Sequence, residues 1–237
     1  MHSQKLTMSK IKEETVILDV EETLTKWEKN VEENKKSYSI IAIAIVLVVG
    51  LYLAWSKLYV APQETEAQAQ MFYAEKYFAK DSLDKAMFGD GNYYGFNDII
   101  EEFGVTSSAN LAHYYMGISY LKKGEYDNAI EYLKGFNSND QMLGPIALGA
   151  IGDAYVELGN QEEAVSYYLK AAKKKVNQFT TPIYMMRAGN SYEELGKYDE
   201  AVKIYEKIKK DFPETNEGRE VEKYIAKAKV LAENTNL

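Results

Sequence analysis

The chain has no cysteine. That excludes disulfides, thiolate zinc sites, iron–sulfur clusters and cysteine nucleophiles together, and it removes the usual clue to the redox compartment. Only two histidines occur among 237 residues, His2 and His113, so neither a histidine triad nor a multi-histidine metal site has its raw material. Positive charge is also in deficit. Lys plus Arg is 28 against 36 for Asp plus Glu, a net charge of −8, whereas a nucleic-acid binder needs a basic face to neutralise phosphates. These absences argue against an enzyme, and they point to no cofactor or metal. What remains is ordinary folded material: apolar residues are 46% and charged residues 27%, with room for one large domain or two small ones.

The longest uncharged run is Ile40 to Trp55, IIAIAIVLVVGLYLAW. Extended to Tyr38 and Tyr59 it is 22 residues, about 33 Å as a helix, which matches the hydrocarbon core and its edges. Lys57, the one charge inside, is near enough to the end to snorkel. Tyr38 on one side and Tyr52, Trp55 and Tyr59 on the other resemble interfacial aromatic belts, with Gly50 between them. A buried core helix would rarely be apolar all round for so long. A cleaved signal is a poorer fit. The preceding region is long and rich in Glu, and Leu58-Tyr59-Val60-Ala61-Pro62 lacks the small-x-small pattern. Lys26, Lys29, Lys35 and Lys36 precede the run, whereas Lys57 stands alone after it, ahead of Glu64 and Glu66. The positive-inside rule then predicts a cytoplasmic N-terminus and a large C-terminal part across the membrane, the periplasm if the cell is Gram-negative.

Ahead of the span, Met8-Ser9-Lys10 offers a second translation start. Val20, Leu24, Trp27 and Val31 form one stripe of a short helix, either packed on a cytoplasmic partner or part of a solvated stem.

The C-terminal part repeats. Gly117, Tyr120, Gly124 and Ala129 recur 35 residues later as Gly152, Tyr155, Gly159 and Ala164. They recur after 37 more as Gly189, Tyr192, Gly196 and Ala201, followed by Tyr205 and Pro213. This is the tetratricopeptide pattern of large-x₂-large-Gly-x₂-Tyr, Ala-x₃-aromatic and Pro, with His113, Leu148 and Met185 at the first large position. The first glycine and the alanine allow two helices to approach closely, and the second glycine suits a left-handed turn. His113 therefore reads as a packing residue. A weaker repeat precedes these, with Ala74, Tyr77 and Ala86 in register and an insert around Gly89–Gly95. Asp90-Gly91-Asn92 within it reads as a turn, because the later glycine and terminal Glu of a calcium loop are missing.

The predicted fold is all-α, a single transmembrane helix followed by a tetratricopeptide-repeat superhelix. Its parts are a tail at 1–37, an anchor at 38–61 and a repeat domain at 62–237. Within that domain the degenerate repeat covers about 64–108, the repeats about 110–143, 145–178 and 182–215, and a capping helix 217–233. The groove offsets of such repeats select Leu111, Tyr114, Ile118 and Leu121, then Ile146 and Val156, then Ile183 and Met186. Met71 and Phe78 come from the degenerate repeat. A solvated face should not be this apolar, so it either binds apolar polypeptide or is covered by the linker or the 217–233 helix. Lys122 is the one basic residue near these positions, and Asp153, Glu157, Glu193 and Glu194 are acidic, which excludes a clamp for acidic C-termini.

The order of parts, with Glu33-Asn34-Lys35 before the span and Gly50 and Trp55 within it, resembles the ancillary SecYEG translocon subunit family called YfgM over roughly residues 20–235. The resemblance implies an inner-membrane protein associated with the export channel, the PpiD-like chaperone or secreted client chains, and it implies no catalytic residue. A scaffold subunit of another envelope complex, in outer-membrane assembly or cell-wall synthesis, is the competing expectation.

Overall fold

The computed structural model describes residues 34–235, and every regular element among them is helical. The predicted stripe Val20, Leu24, Trp27 and Val31 lies outside the described residues, as does His2. The chain divides into two compact units, Met1–Tyr59 and Val60–Leu237.

In the first unit, α1 spans Lys35–Trp55, with a π-helical turn at Ser56–Val60 straddling the division between units. The helical run that begins at Lys35 contains an 18-residue window of mean hydropathy 2.4, none of it buried. It is long and apolar enough to cross a membrane. Ile40 and Leu51 point outward like their neighbours, so no protein core accounts for this apolarity. The rings of Tyr52, Trp55 and Tyr59 follow one another at about one-turn spacing, with centroids 6.3 Å and 6.4 Å apart, while an added Cβ at Gly50 would meet nothing.

The second unit is a stack of antiparallel helices. α2 (Ala61–Ala79) is followed by two short helices, α3 (Leu83–Phe88) and α4 (Phe96–Glu102). Then come three hairpins: α5 (Ser107–Lys123) with α6 (Tyr126–Gly135), α7 (Leu143–Glu157) with α8 (Gln161–Lys174), and α9 (Thr180–Glu194) with α10 (Tyr198–Asp211). α11 (Asn216–Thr235) closes the stack.

Each hairpin turns on a glycine. Gly124, Gly159 and Gly196 have φ of +79°, +74° and +68°, and the residue after each donates its N–H to a carbonyl five back, at Tyr120, Tyr155 and Tyr192. A side chain with a Cβ is strained in that left-handed conformation, so the second glycine of the pattern stops the first helix and reverses the chain. Ala129, Ala164 and Ala201 are fully buried where the second helix returns.

The close approach of the paired helices depends on the first glycine. A Cβ on Gly152 would lie 2.6 Å from Tyr168 Cε1, and one on Gly189 would meet the Tyr205 ring in the same way. In the first hairpin Leu133 fills that place against Gly117. Tyr205 is wholly buried, so its ring cannot move aside.

In the degenerate repeat the returning helix is broken. Gly89 and Gly91 have φ of +78° and +88°, and Gly95 packs its backbone against Met87 and Gly89, which splits the second arm into α3 and α4. Asp90 accepts hydrogen bonds from the Tyr77 hydroxyl at 2.6 Å and from the N–H groups of Asn92 and Tyr93, both at 3.0 Å, so it builds a turn. Glu64, on α2, ties the degenerate repeat to the regular ones. Its carboxylate accepts from the N–H of Ser107 and the hydroxyl of Ser108 at the start of α5, at 2.6 Å and 2.8 Å. Burial pushes the Glu64 carboxyl up, but these bonds and one from Gln68 outweigh it and hold the group below its ordinary value.

His113 lies beside Gly135, with its Nδ1 buried and without a hydrogen-bond partner. Burial lowers its pKa from the ordinary value, so the fold favours the neutral ring. The unfolded chain protonates near pH 6.5, above the folded value, so this contribution to stability is present above that pH and is lost as pH falls below it. Urea unfolding at pH 7.5 and pH 5.5 should show a larger loss of midpoint for the wild type than for His113→Met, which carries the residue of the third repeat. Equal losses would remove His113 from the account.

Candidate functional site: the inner face of the repeat stack

Within the second unit, successive first helices touch one another: α2 with α5, α5 with α7, α7 with α9, and α9 with α11. The second helices α6, α8 and α10 touch only first helices and α11, never each other. The first helices therefore form the tighter, inner side of the curve, which is where a repeat array presents its binding surface.

The residues picked by groove offset fall into distinct places. Tyr114, Ile118 and Leu121 are half-buried against the core shared by the first and second repeats. Val156 and Met186 pack on the core of the second and third. Phe78 and Leu111 pack on the N-terminal core, and Ile146 is half-buried on α7. Met71 does not reach the surface. It is 5% exposed, because Ala67, Met71 and Ala74 form one stripe of α2 turned into the core with α3, α4 and α5. Ile183 is 38% exposed and lies at the edge of the stack beside Phe179 and Met142 rather than among the inner residues. The inner face is thus a row of apolar seams, each partly filled by its own packing.

Where α5 meets α7 the seam opens into a cleft of about 340 Å³. Leu121 and Val156 supply its apolar lining, and Asp153, Glu157, Tyr126 and Tyr168 supply polar groups. The Tyr126 hydroxyl lies 3.2 Å from Glu157 Oε2.

Two acidic residues of this face, Asp153 and Glu193, are engaged by cations that the repeat spacing did not connect to them. Tyr168 of α8 donates its hydroxyl to Asp153 Oδ1 at 2.6 Å, and Arg187 of α9 pairs with the same oxygen. One repeat later, the Tyr205 hydroxyl lies 3.0 Å from Glu193 Oε1, and Lys227 of α11 reaches Glu193 Oε2. In each case a tyrosine from the second helix passes over the glycine, and a cation from the next inner helix, 34 residues on, closes the set. Burial, then the neighbouring carboxylate, pushes the Tyr168 and Tyr205 hydroxyls up, so both remain protonated donors. Burial also raises Tyr184, which stacks on Tyr168, to about 12. These sets link neighbouring repeats, and they leave the cleft with Glu157 as its carboxylate not bound to a cation among the described residues.

The helix at the C-terminal end does not cover this face. α11 touches only α9 and α10, so it takes the inner-helix position of a further half-repeat and closes the stack end-on. Of the two alternatives expected for the groove, a bound polypeptide or a cover by the linker or the 217–233 helix, α11 does not supply the cover: it sits at the end of the stack, where a capping helix was expected. Its apolar side, with Val221, Ile225 and Ala228 buried, is already spent on the last repeat.

The comparisons agree with this architecture. Profiles described as tetratricopeptide repeat match residues 114–178 and 184–215. Among solved structures, the chain is similar to the nearly identical TPR-like repeats from Podosopora anserina that are described as a kinesin light chain. The identity is 14%, the TM-score 0.53, and the match covers 72% of this chain and 88% of that one. At that identity the likeness speaks to fold alone. No curated protein matches the sequence. The fold is therefore a tetratricopeptide-repeat array, a scaffold for protein–protein interaction of a kind that is generally not enzymatic.

Proposed function

We propose that the chain is a single-span inner-membrane protein whose repeats face the periplasm and hold a protein partner on their inner face at the Sec translocon. The carrying observation is the inner cleft at Leu121 and Val156, which α11 leaves uncovered. The apolar α1, the lysines before it and the resemblance to the YfgM family support the location, the orientation and the association with SecYEG and a PpiD-like chaperone. Tethering would act by raising the effective concentration of the groove at the membrane, where exported chains emerge.

The test is affinity purification from mild-detergent extracts with mass spectrometry, comparing wild type with Leu121→Ser/Val156→Ser. These half-buried side chains can be shortened with less damage than a buried charge at Tyr114 or Ile118 would cause. The expected result is recovery of the translocon or the chaperone by the wild type and at least about tenfold lower recovery by a variant that still melts cooperatively. Equal recovery would move the binding site to the anchor or tail. Recovery of an outer-membrane assembly or cell-wall complex instead would replace the export reading.

A further inference from the structure

A second surface lies at the edge of the stack, where the chain enters α7, α9 and α11. An open pocket of about 800 Å³ there has Met142, Phe179 and Ile183 on its apolar side and Asp211, Glu214 and Glu217 on its rim. Phe179 is 70% exposed, the largest value for any aromatic residue of the second unit. It is not loosely placed. Asn177 Oδ1 accepts from the N–H groups of Phe179 and Thr180 at 2.8 Å and 2.7 Å, and its amide donates to the carbonyls of Gln141 and Lys175 and to the Thr180 hydroxyl. One side chain thus ties the loop to four residues and fixes the backbone from which the phenyl ring projects. With the loop backbone already ordered, only the two χ angles of the ring remain to be fixed when a partner covers it.

Charge specifies what the partner carries. Among the described residues no cation pairs with the side chains of Asp211, Glu214 or Glu217. Arg219, the one basic residue in the lining, already donates to the Glu214 carbonyl at 2.7 Å and to Asn216 Oδ1 at 2.9 Å. An apolar floor inside an acidic rim suits a large apolar side chain next to a lysine or arginine and repels an acidic segment. We propose that this edge pocket is a docking site, separate from the inner face, for a protein segment that presents such a basic–apolar pair.

The probe is a random linear peptide library displayed on phage and panned against the full-length protein in lipid nanodiscs, followed by fluorescence anisotropy of the enriched sequences as synthetic peptides. The expected result is enrichment of lysine or arginine beside a large apolar residue. Binding should fall about thirtyfold in Phe179→Ser and about tenfold in Glu214→Lys/Glu217→Lys. It should be unchanged in Leu121→Ser/Val156→Ser. Phe179 and Glu214 are exposed, so Phe179→Ser should keep the wild-type melting curve, whereas Glu217 is half-buried in the first turn of α11, so the double charge reversal should lower the midpoint slightly and still melt cooperatively. The proposal is overturned if no peptide is enriched, if the enriched peptides lack a basic residue, or if binding survives Phe179→Ser and is lost in the inner-face variant. A concentration-dependent dimer that disappears in Phe179→Ser would also overturn it, by assigning the pocket to a second copy of the chain.

Discussion

Gly152→Ala should destabilise the repeat domain, although the same change in an exposed helix stabilises by about 1 kcal/mol. The added methyl would lie 2.6 Å and 2.7 Å from two carbons of the Tyr168 ring, and that ring is buried with its hydroxyl held by Asp153. Relief requires the two helices of the repeat to part or the ring to leave its place, so overpacking outweighs helix propensity by a net loss of about 2 kcal/mol or more. For a domain of this size that is a fall of roughly 5 °C in midpoint. Gly189→Ala should behave alike against Tyr205. Thermal and urea unfolding measure the loss, and the second-site change Tyr168→Leu should recover part of it, because Leu133 already fills that place in the first repeat. A double-mutant cycle should then give a coupling of about 1 kcal/mol or more. Stabilisation by Gly152→Ala alone, or additive effects with Tyr168→Leu, would mean that the glycine does not set the helix spacing.

The same contact shows what the sequence made readable. The glycine, alanine and turn-glycine positions recur at fixed spacing because each answers a constraint inside one hairpin, and a constraint that local leaves a period. Tyr168 and Tyr205 recur as well, each 16 residues after its glycine, as the aromatic of the Ala-x₃-aromatic element. Arg187 and Lys227 leave no such trace. Their partners, Asp153 and Glu193, lie one repeat back, so the ion pairs depend on how neighbouring repeats stack. Asp153 and Glu193 were readable as acidic residues of the inner face, but not as neutralised ones.

Two of the residues chosen by groove offset, Met71 and Ile183, lie away from the inner face for similar reasons. Offsets assume that every repeat is stacked alike, yet α2 faces a broken second arm, and its stripe through Met71 turns inward to fill the core there. From Ala164 to Gly189 the chain runs 25 residues, against 23 from Ala129 to Gly152. The longer second helix and its Asn177 loop deliver Phe179 and Ile183 to the edge of the stack. Insertions between repeats are visible in a sequence, but the surface they create is not.

Val221→Asp should unlock the stack from its end. Val221 is wholly buried where α11 meets α10, in a core that includes Tyr205, Ile208 and Phe212, so the substitution places a carboxyl group among apolar side chains. The expected cost is about 3 kcal/mol or more. Because each repeat touches only its neighbours, the loss should be graded along the chain rather than uniform. Hydrogen exchange should show α11 and α10 losing protection first, with α5 and α6 retaining theirs under the same conditions. Partner capture at Leu121 and Val156 should then survive, since the cleft is built by α5 and α7. Two results would contradict this account. Simultaneous loss of protection in α5 would mean that the array opens as one cooperative unit, and tighter partner binding by the variant would restore α11 to the role of a cover. Survival of the cleft with a frayed end would instead separate the two jobs of the inner helices: α11 shields the last core from water, and the seams before it remain free for a partner.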